Sequence, residues 1–122
     1  MKNLLIISST QNSNLDLSKK INEFFHQKDN LNSKVISLED FKLPLYTPTL
    51  EQKFKEMNEF PAGIVDIKDC LVSSSALIWC SPEYNGGVSP ILTNSIAWIS
   101  RTTDNWKDAF IDKNMLICSS SG

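Results

Sequence analysis

Short apolar runs alternate along the chain with longer stretches in which apolar residues return every three or four positions. Leu4-Leu5-Ile6-Ile7 is a continuous apolar run between polar residues, the pattern of a strand covered on both faces. Ser8 to Asn14 is a tract of small polar residues. Leu17, Ile21, Phe24 and Phe25 then recur at helical spacing, with Lys19, Lys20 and Glu23 between them, which predicts an amphipathic helix packed on a sheet. Lys34 to Leu38 reads as a second strand. Residues 39–50, with Pro44, Tyr46 and Pro48, read as a long loop. Residues 50–60 have room for one helical turn or more before Pro61 interrupts the pattern. Ala62 to Val72 is a predicted helix with Ile64, Ile67 and Leu71 on one face. Ala76 to Cys80 is a third strand, Ser81 to Pro90 a loop, Ile91 to Ser100 a helix, and Met115 to Cys118 a fourth strand. Strands alternating with helices predict a parallel α/β sheet.

The helix from Ile91 departs from this scheme. Ile91, Leu92, Ile96, Ala97, Trp98 and Ile99 cover most of its circumference, whereas a helix lying on one sheet needs a single apolar face. The pattern predicts a second buried surface, against another subunit, with Trp98 in it. The alternative is that Trp98 caps its own core.

Composition changes this picture little. The 122 residues carry 41% apolar and 21% charged side chains, ordinary for one globular domain. A net charge of −2 provides no electrostatic footprint for nucleic acid or for anionic lipid, and no apolar run approaches the ~18 residues of a membrane span. Cys70, Cys80 and Cys118 form neither a disulfide scaffold nor a metal-type spacing, and Cys80 and Cys118 read as small buried thiols. A cytoplasmic location is expected. The lone histidine, His26, falls at a helix end, with no metal site to be built from it.

The chemistry has to come from the loops. In a parallel α/β sheet, ligands sit beyond the carboxyl ends of the strands. The first loop there, Ser8 to Asn14, offers the hydroxyls of Ser8, Ser9, Thr10 and Ser13 and the free amides of a helix N-terminus, a setting that suits a phosphate. It has no lysine or arginine, no glycine-rich dinucleotide fingerprint and no Walker motif, so a monophosphate fits better than a di- or triphosphate. A Ser/Asn-rich helix cap without ligand is the plainer reading. The second loop, Ser81-Pro82-Glu83-Tyr84-Asn85-Gly86-Gly87, combines a proline, an aromatic ring and two glycines whose backbone could approach a planar ligand. Its plainer reading is a tight turn. The third loop, Ser119-Ser120-Ser121-Gly122, follows the fourth strand.

The stretch Cys80-Ser-Pro-Glu-Tyr-Asn-Gly-Gly-Val-Ser-Pro-Ile-Leu-Thr-Asn-Ser-Ile-Ala-Trp-Ile-Ser-Arg101 resembles the signature of the NAD(P)H-dependent FMN reductases. That signature runs Pro-Glu-Tyr-Asn, a glycine/proline turn, Leu-Lys-Asn-x-Ile-Asp-Trp and Ser-Arg. The resemblance extends over residues 3–122. It implies a flavodoxin-like fold, a three-layer sandwich with sheet order 2-1-3-4-5, of which residues 1–122 supply four strands as one FMN-binding domain that stops short of the fifth. It implies FMN phosphate on Ser9, Gln11, Ser13 and Asn14. The isoalloxazine is expected on Pro82, Glu83, Tyr84, Asn85 and Gly86, with Ser119, Ser120, Ser121 and Gly122 at its pyrimidine end. NADPH or NADH is the implied co-substrate. A homodimer or homotetramer through residues 91–100 is the implied assembly. Ser9 stands where relatives often have glycine, and the usual arginine of this loop is absent, with Gln11 nearby, which predicts a weaker hold on phosphate. Thr93 and Ala97 replace a common Lys and Asp, so an interface ion pair of relatives is not expected here.

The implied activity passes hydride from NAD(P)H through FMN to a flavin, quinone, azo compound or metal ion, with the flavin carrying the chemistry and no catalytic acid or base demanded of the protein. Two other readings stand beside it: a flavodoxin-like electron carrier, against which the small net charge argues, and a truncated, non-catalytic flavin-binding fragment.

Overall fold

The computed structural model describes residues 2–120. The chain runs β1 (Lys2–Ser8), α1 (Ser13–Phe25), β2 (Leu31–Ser37), a single 3-10 turn (Leu38–Phe41), α2 (Pro48–Met57) and α3 (Ala62–Val72). It continues through β3 (Ala76–Cys80), the two-residue strands β4 (Glu83–Tyr84) and β5 (Gly87–Val88), α4 (Pro90–Arg101) and β6 (Asn114–Cys118). The main sheet has the order β2-β1-β3-β6, with every neighbouring pair parallel. The expected order 2-1-3-4 therefore holds, with β6 as the fourth strand of the sheet.

The continuous apolar run of β1 is explained by its central place. Leu4 and Ile6 point to one face, into a cluster with Ile78 and Cys80 that Leu17, Ile21 and Phe25 of α1 cover. Leu5 and Ile7 point to the other, into a cluster with Leu77, Trp79, Ile67, Leu71 and Ile99 supplied by β3, α3 and α4. Each such side chain taken fully out of water contributes about 1.5–3 kcal/mol. These faces make the three layers.

Several expectations change at the element ends. β2 begins earlier than predicted, at Leu31, and Leu38 leaves it to start the 3-10 turn inside the expected 39–50 loop. The region 50–60 holds a full helix, α2, which starts on Pro48 because Thr47 caps it: its hydroxyl accepts the Leu50 N–H at 3.1 Å. Phe24, placed on the buried face by spacing, is exposed, and the Lys28 ammonium lies over its ring. His26 is the C-cap residue of α1, as its position predicts.

Trp98 requires a correction. It is 0% exposed within the single chain. Its indole Nε1 donates to the Pro44 carbonyl at 2.7 Å, and Tyr46, Phe54 and Phe60 pack edge-on or tilted around the ring at centroid distances of 5.0, 5.7 and 6.4 Å. The Trp98 side of α4 is therefore covered by the 42–60 segment of its own chain. Sequence periodicity counts apolar faces without telling which segment covers them.

At β6 the sheet has a free edge among the described residues. Met115, Leu116 and Ile117 are all exposed, Ile117 at 77%. Met115 and Ile117 line an apolar groove of about 450 Å³ with Ile96, Trp106 and Phe110. Among the described residues no helix is long and apolar enough to cross a membrane.

Candidate functional site

Parallel pairing brings the carboxyl ends of β1, β3 and β6 into step. The Ser9 N–H donates to the Cys80 carbonyl at 2.9 Å, and the Ser81 N–H to the Cys118 carbonyl at 3.0 Å, so all three predicted loops leave the sheet side by side. Cys80, directly beneath them, is fully buried, and burial raises its thiol pKa above the ordinary value. It stays a protonated packing residue.

In the first loop the predicted residues separate into different roles. Ser9 is 1% exposed, and its Oγ has no hydrogen-bond partner, nor has the Oγ1 of Thr10. A buried hydroxyl without a partner costs about 1–3 kcal/mol, so two adjacent ones mark a place built for a further acceptor or donor. Ser8 Oγ is already used, donating to the Thr10 carbonyl at 2.6 Å. Ser13 opens α1 and is exposed, and Asn12 at the N-cap makes no side-chain cap bond. Asn14 is fully buried and faces sideways: its Oδ1 accepts the Ser120 N–H at 2.9 Å and its Nδ2 donates to the Ser120 carbonyl at 3.1 Å. Asn14 and Ser120 thus hold the first and third loops together. Ser119 is exposed beside them, while Ser121 and Gly122 lie outside the described residues.

The second loop is a two-residue hairpin. Glu83 pairs with Val88 and Tyr84 with Gly87, leaving Asn85 and Gly86 at the tip with φ of 52° and 78°. Two positive φ values in a two-residue connection are what a type I′ turn demands, and Asn-Gly is the pair that adopts it most readily. The Glu83 carboxylate accepts the Gly86 N–H and braces the tip. Tyr84 is 45% exposed, Pro82 half-buried, and Asn85 and Gly86 exposed. Behind the hairpin, Ser81 and Ser89 share a buried hydroxyl–hydroxyl bond of 2.9 Å that closes its base.

An open cleft of about 570 Å³ joins the loops. Thr10, Gln11 and Asn12 line it with Tyr84, with Pro90 and Ile91 of α4, and with Glu39. Its size lies within the range of small-molecule and cofactor sites. Glu39 and Asp40 escaped the sequence reading. Glu39 accepts the Gln11 N–H at 2.6 Å, and Asp40 accepts from the Gln11 side-chain amide at 2.7 Å. The signal was topological: β2 lies next to β1, so the turn after β2 must meet the loop after β1.

The profile of the family described as NADPH-dependent FMN reductase matches residues 1–122. The chain belongs to that family. An uncharacterized protein of Mycoplasma pneumoniae, an MG342 homologue, is 28% identical over 116 residues, covering 94% of this chain and 64% of its own. FerB, a flavoenzyme NAD(P)H:(acceptor) oxidoreductase from Paracoccus denitrificans, superposes with a TM-score of 0.76 at 20% identity, over 99% of this chain and 62% of its own. An azoreductase from Bacillus anthracis gives a TM-score of 0.70 at 10% identity, over 98% of this chain and 68% of its own. The fold is that of these flavodoxin-like proteins, and the chain spans somewhat under two thirds of the length of the first two.

Membership in the FMN reductases implies FMN as cofactor and NAD(P)H as electron donor. The residues present fit such a group. The unpartnered hydroxyls of Ser9 and Thr10 lie where a phosphate is expected, at the start of α1 and its favourable dipole end. Tyr84 lines the same cleft, and the exposed Asn85 and Gly86 follow it at the hairpin tip.

Proposed function

We propose that this chain binds FMN across the cleft between the first loop and the hairpin, and that it serves an NAD(P)H-dependent oxidoreductase whose acceptor is a small molecule: a flavin, a quinone, an azo compound or a metal ion. The observation that carries this reading is the buried, unsatisfied hydroxyl of Thr10 in the wall of a cleft shared with Tyr84, with that of Ser9 next to it in the chain. When bound, FMN supplies the hydride-accepting and electron-donating chemistry. The protein's own residues bind and orient. Ser9, Thr10, Gln11 and Ser13, with the amides that open α1, hold the phosphate. Pro82, Glu83, Tyr84, Asn85 and Gly86 present a rigid, shallow edge to the ring. Asn14 and Ser120 fix the spacing between the phosphate end and the third loop.

Residues 1–122 act in this reading as one flavin-binding domain. The three free cysteines agree with a reducing, cytoplasmic setting. A homodimer or homotetramer through residues 91–100 belongs to the same reading on narrower support: Trp98 is internal, and the exposed Ile96 with Trp106 remains. A monomeric mass by light scattering removes that part.

The deciding experiment is an absorbance spectrum of the purified chain with added FMN, followed by anaerobic NADPH. Bound flavin that bleaches supports the reductase. Bound flavin that bleaches only with dithionite favours the electron-carrier reading, and absence of binding rejects the flavin site. Asn85→Ala should lower flavin content, and an unchanged content removes the hairpin from the ring site.

A further inference from the structure

The bond between Glu39 and Gln11 is unusual for a loop expected to receive an anion. Gln11 is the third residue after β1, and its N–H lies just ahead of Asn12, the N-cap of α1. That donor already carries a carboxylate at 2.6 Å, and a second carboxylate, Asp40, holds the side chain of the same residue at 2.7 Å. Ser8 to Asn14 contains no cation to offset either charge. Both acids are exposed, and Glu39 forms part of the cleft wall. Their position is fixed from below: Leu38 is buried in the core, and the turn carrying both acids sits against Gly63 of α3, the one residue type without a Cβ to collide with the Phe41 carbonyl.

We infer that Glu39 is a specificity-determining residue that competes with the ligand's phosphate for the Gln11 amide, and so sets how strongly the site prefers a phosphorylated flavin over its dephosphorylated form. This inference rests on the FMN reading. A phosphate dianion entering the loop meets an amide already bonded to an anion and must displace that carboxylate and lie near its charge. Riboflavin makes no such demand. The preference for FMN is therefore muted in this chain, because the acid substitutes for the phosphate when the phosphate is absent.

The test measures dissociation constants for FMN and for riboflavin, by quenching of flavin fluorescence, on the wild-type chain and on Glu39→Gln. The glutamine keeps an oxygen that accepts from the Gln11 N–H and removes the charge. FMN should bind the variant about tenfold more tightly, the scale of one charge-assisted hydrogen bond, with riboflavin affinity within about twofold of wild type. An unchanged ratio of the two affinities, or weaker FMN binding, overturns the inference while leaving the FMN reading intact. FMN binding to neither protein overturns both. The Gln11 amide resonance gives a readout independent of the variant's folding: in the wild-type chain it should move on addition of FMN and stay in place on addition of riboflavin. Equal movement with both flavins rejects the competition.

Discussion

The carboxamide of Asn14 grips the backbone of Ser120 at two points, across 106 residues of sequence, accepting its N–H at 2.9 Å and donating to its carbonyl at 3.1 Å. The complementary pair fixes the orientation of the amide, since a flipped Asn14 would set donor against donor and acceptor against acceptor. One buried side chain thereby sets the distance between the two outer loops of the site, with the end of β3 between them.

Asn14→Ala removes both bonds and leaves the Ser120 groups without protein partners. The expected destabilisation is about 1–3 kcal/mol. The functional expectation is a faster loss of bound FMN, because the third loop is no longer tied to the first. Stopped-flow release of FMN and a thermal melt check the two parts separately. An unchanged off-rate with a lowered melting temperature confines Asn14 to stability.

Trp98→Ala empties the largest fully buried side-chain volume in the chain and strands the Pro44 carbonyl. The expected cost is about 3–5 kcal/mol, measured by denaturant unfolding. Trp98→Phe keeps most of the ring and loses the indole N–H, so its cost falls to about 1–3 kcal/mol. Its mass in solution should equal that of the wild type. A change in mass for Trp98→Phe with stability retained would return this residue to a subunit contact.

Glu51 predicts a pH dependence. Its carboxylate takes the Lys55 ammonium at 2.6 Å, the Tyr46 hydroxyl at 2.5 Å and Arg101 Nε at 3.3 Å, while the Arg101 guanidinium lies 4.4 Å from the centre of the Tyr46 ring. The hydrogen bond from Lys55, then that from Tyr46, holds its pKa below the ordinary 4.5. Because the folded value is the lower one, the stabilisation is complete above about pH 4.5 and disappears as pH falls through the folded value. Melting temperatures of the wild type and Glu51→Gln should differ by a constant amount from pH 7 down to pH 5 and converge toward pH 3. A difference that persists at pH 3 assigns the effect to packing and not to charge.

Gly63→Ala places a methyl against the Phe41 carbonyl oxygen, closer than any real Cβ contact, and a backbone oxygen has nowhere to go without moving the turn. Overpacking of this kind costs about 1–3 kcal/mol. The turn carries Glu39 and Asp40, so the Gln11 amide should report the shift in a nitrogen–proton NMR spectrum. A spectrum unchanged at Gln11 would separate the turn's seat on α3 from the first loop.

The sequence made some of this legible and hid the rest for physical reasons. Leu4 to Ile7 announced a central strand because both faces must be apolar, and Ile64, Ile67 and Leu71 announced the buried face of α3 because three- and four-residue spacing leaves no other arrangement. Asn85-Gly86 was read as chemistry or as a turn, and its backbone is a type I′ turn whose rigidity serves the proposed ring site. Trp98 misled because its cover comes from residues some forty to fifty positions earlier. Glu39 and Asp40 were silent because their partner lies on the neighbouring strand's loop. Asn14 lies in the first loop by its place in the sequence, but no local pattern reveals that its amide turns toward Ser120.

The strand order β2-β1-β3-β6 also has a consequence for how the chain is made. β1 is made before both of its neighbours in the sheet, and β3 begins about forty residues after β2 ends. At ordinary translation speeds β1 and β2 wait on the order of 10 s for β3, with an apolar edge open to chaperones and to neighbouring nascent chains. β6 and Ser120 come last of the described elements. The residues lining the cleft, Thr10 to Ile91, are all made before β6, so its walls precede the Asn14–Ser120 tie that joins the third loop to the first.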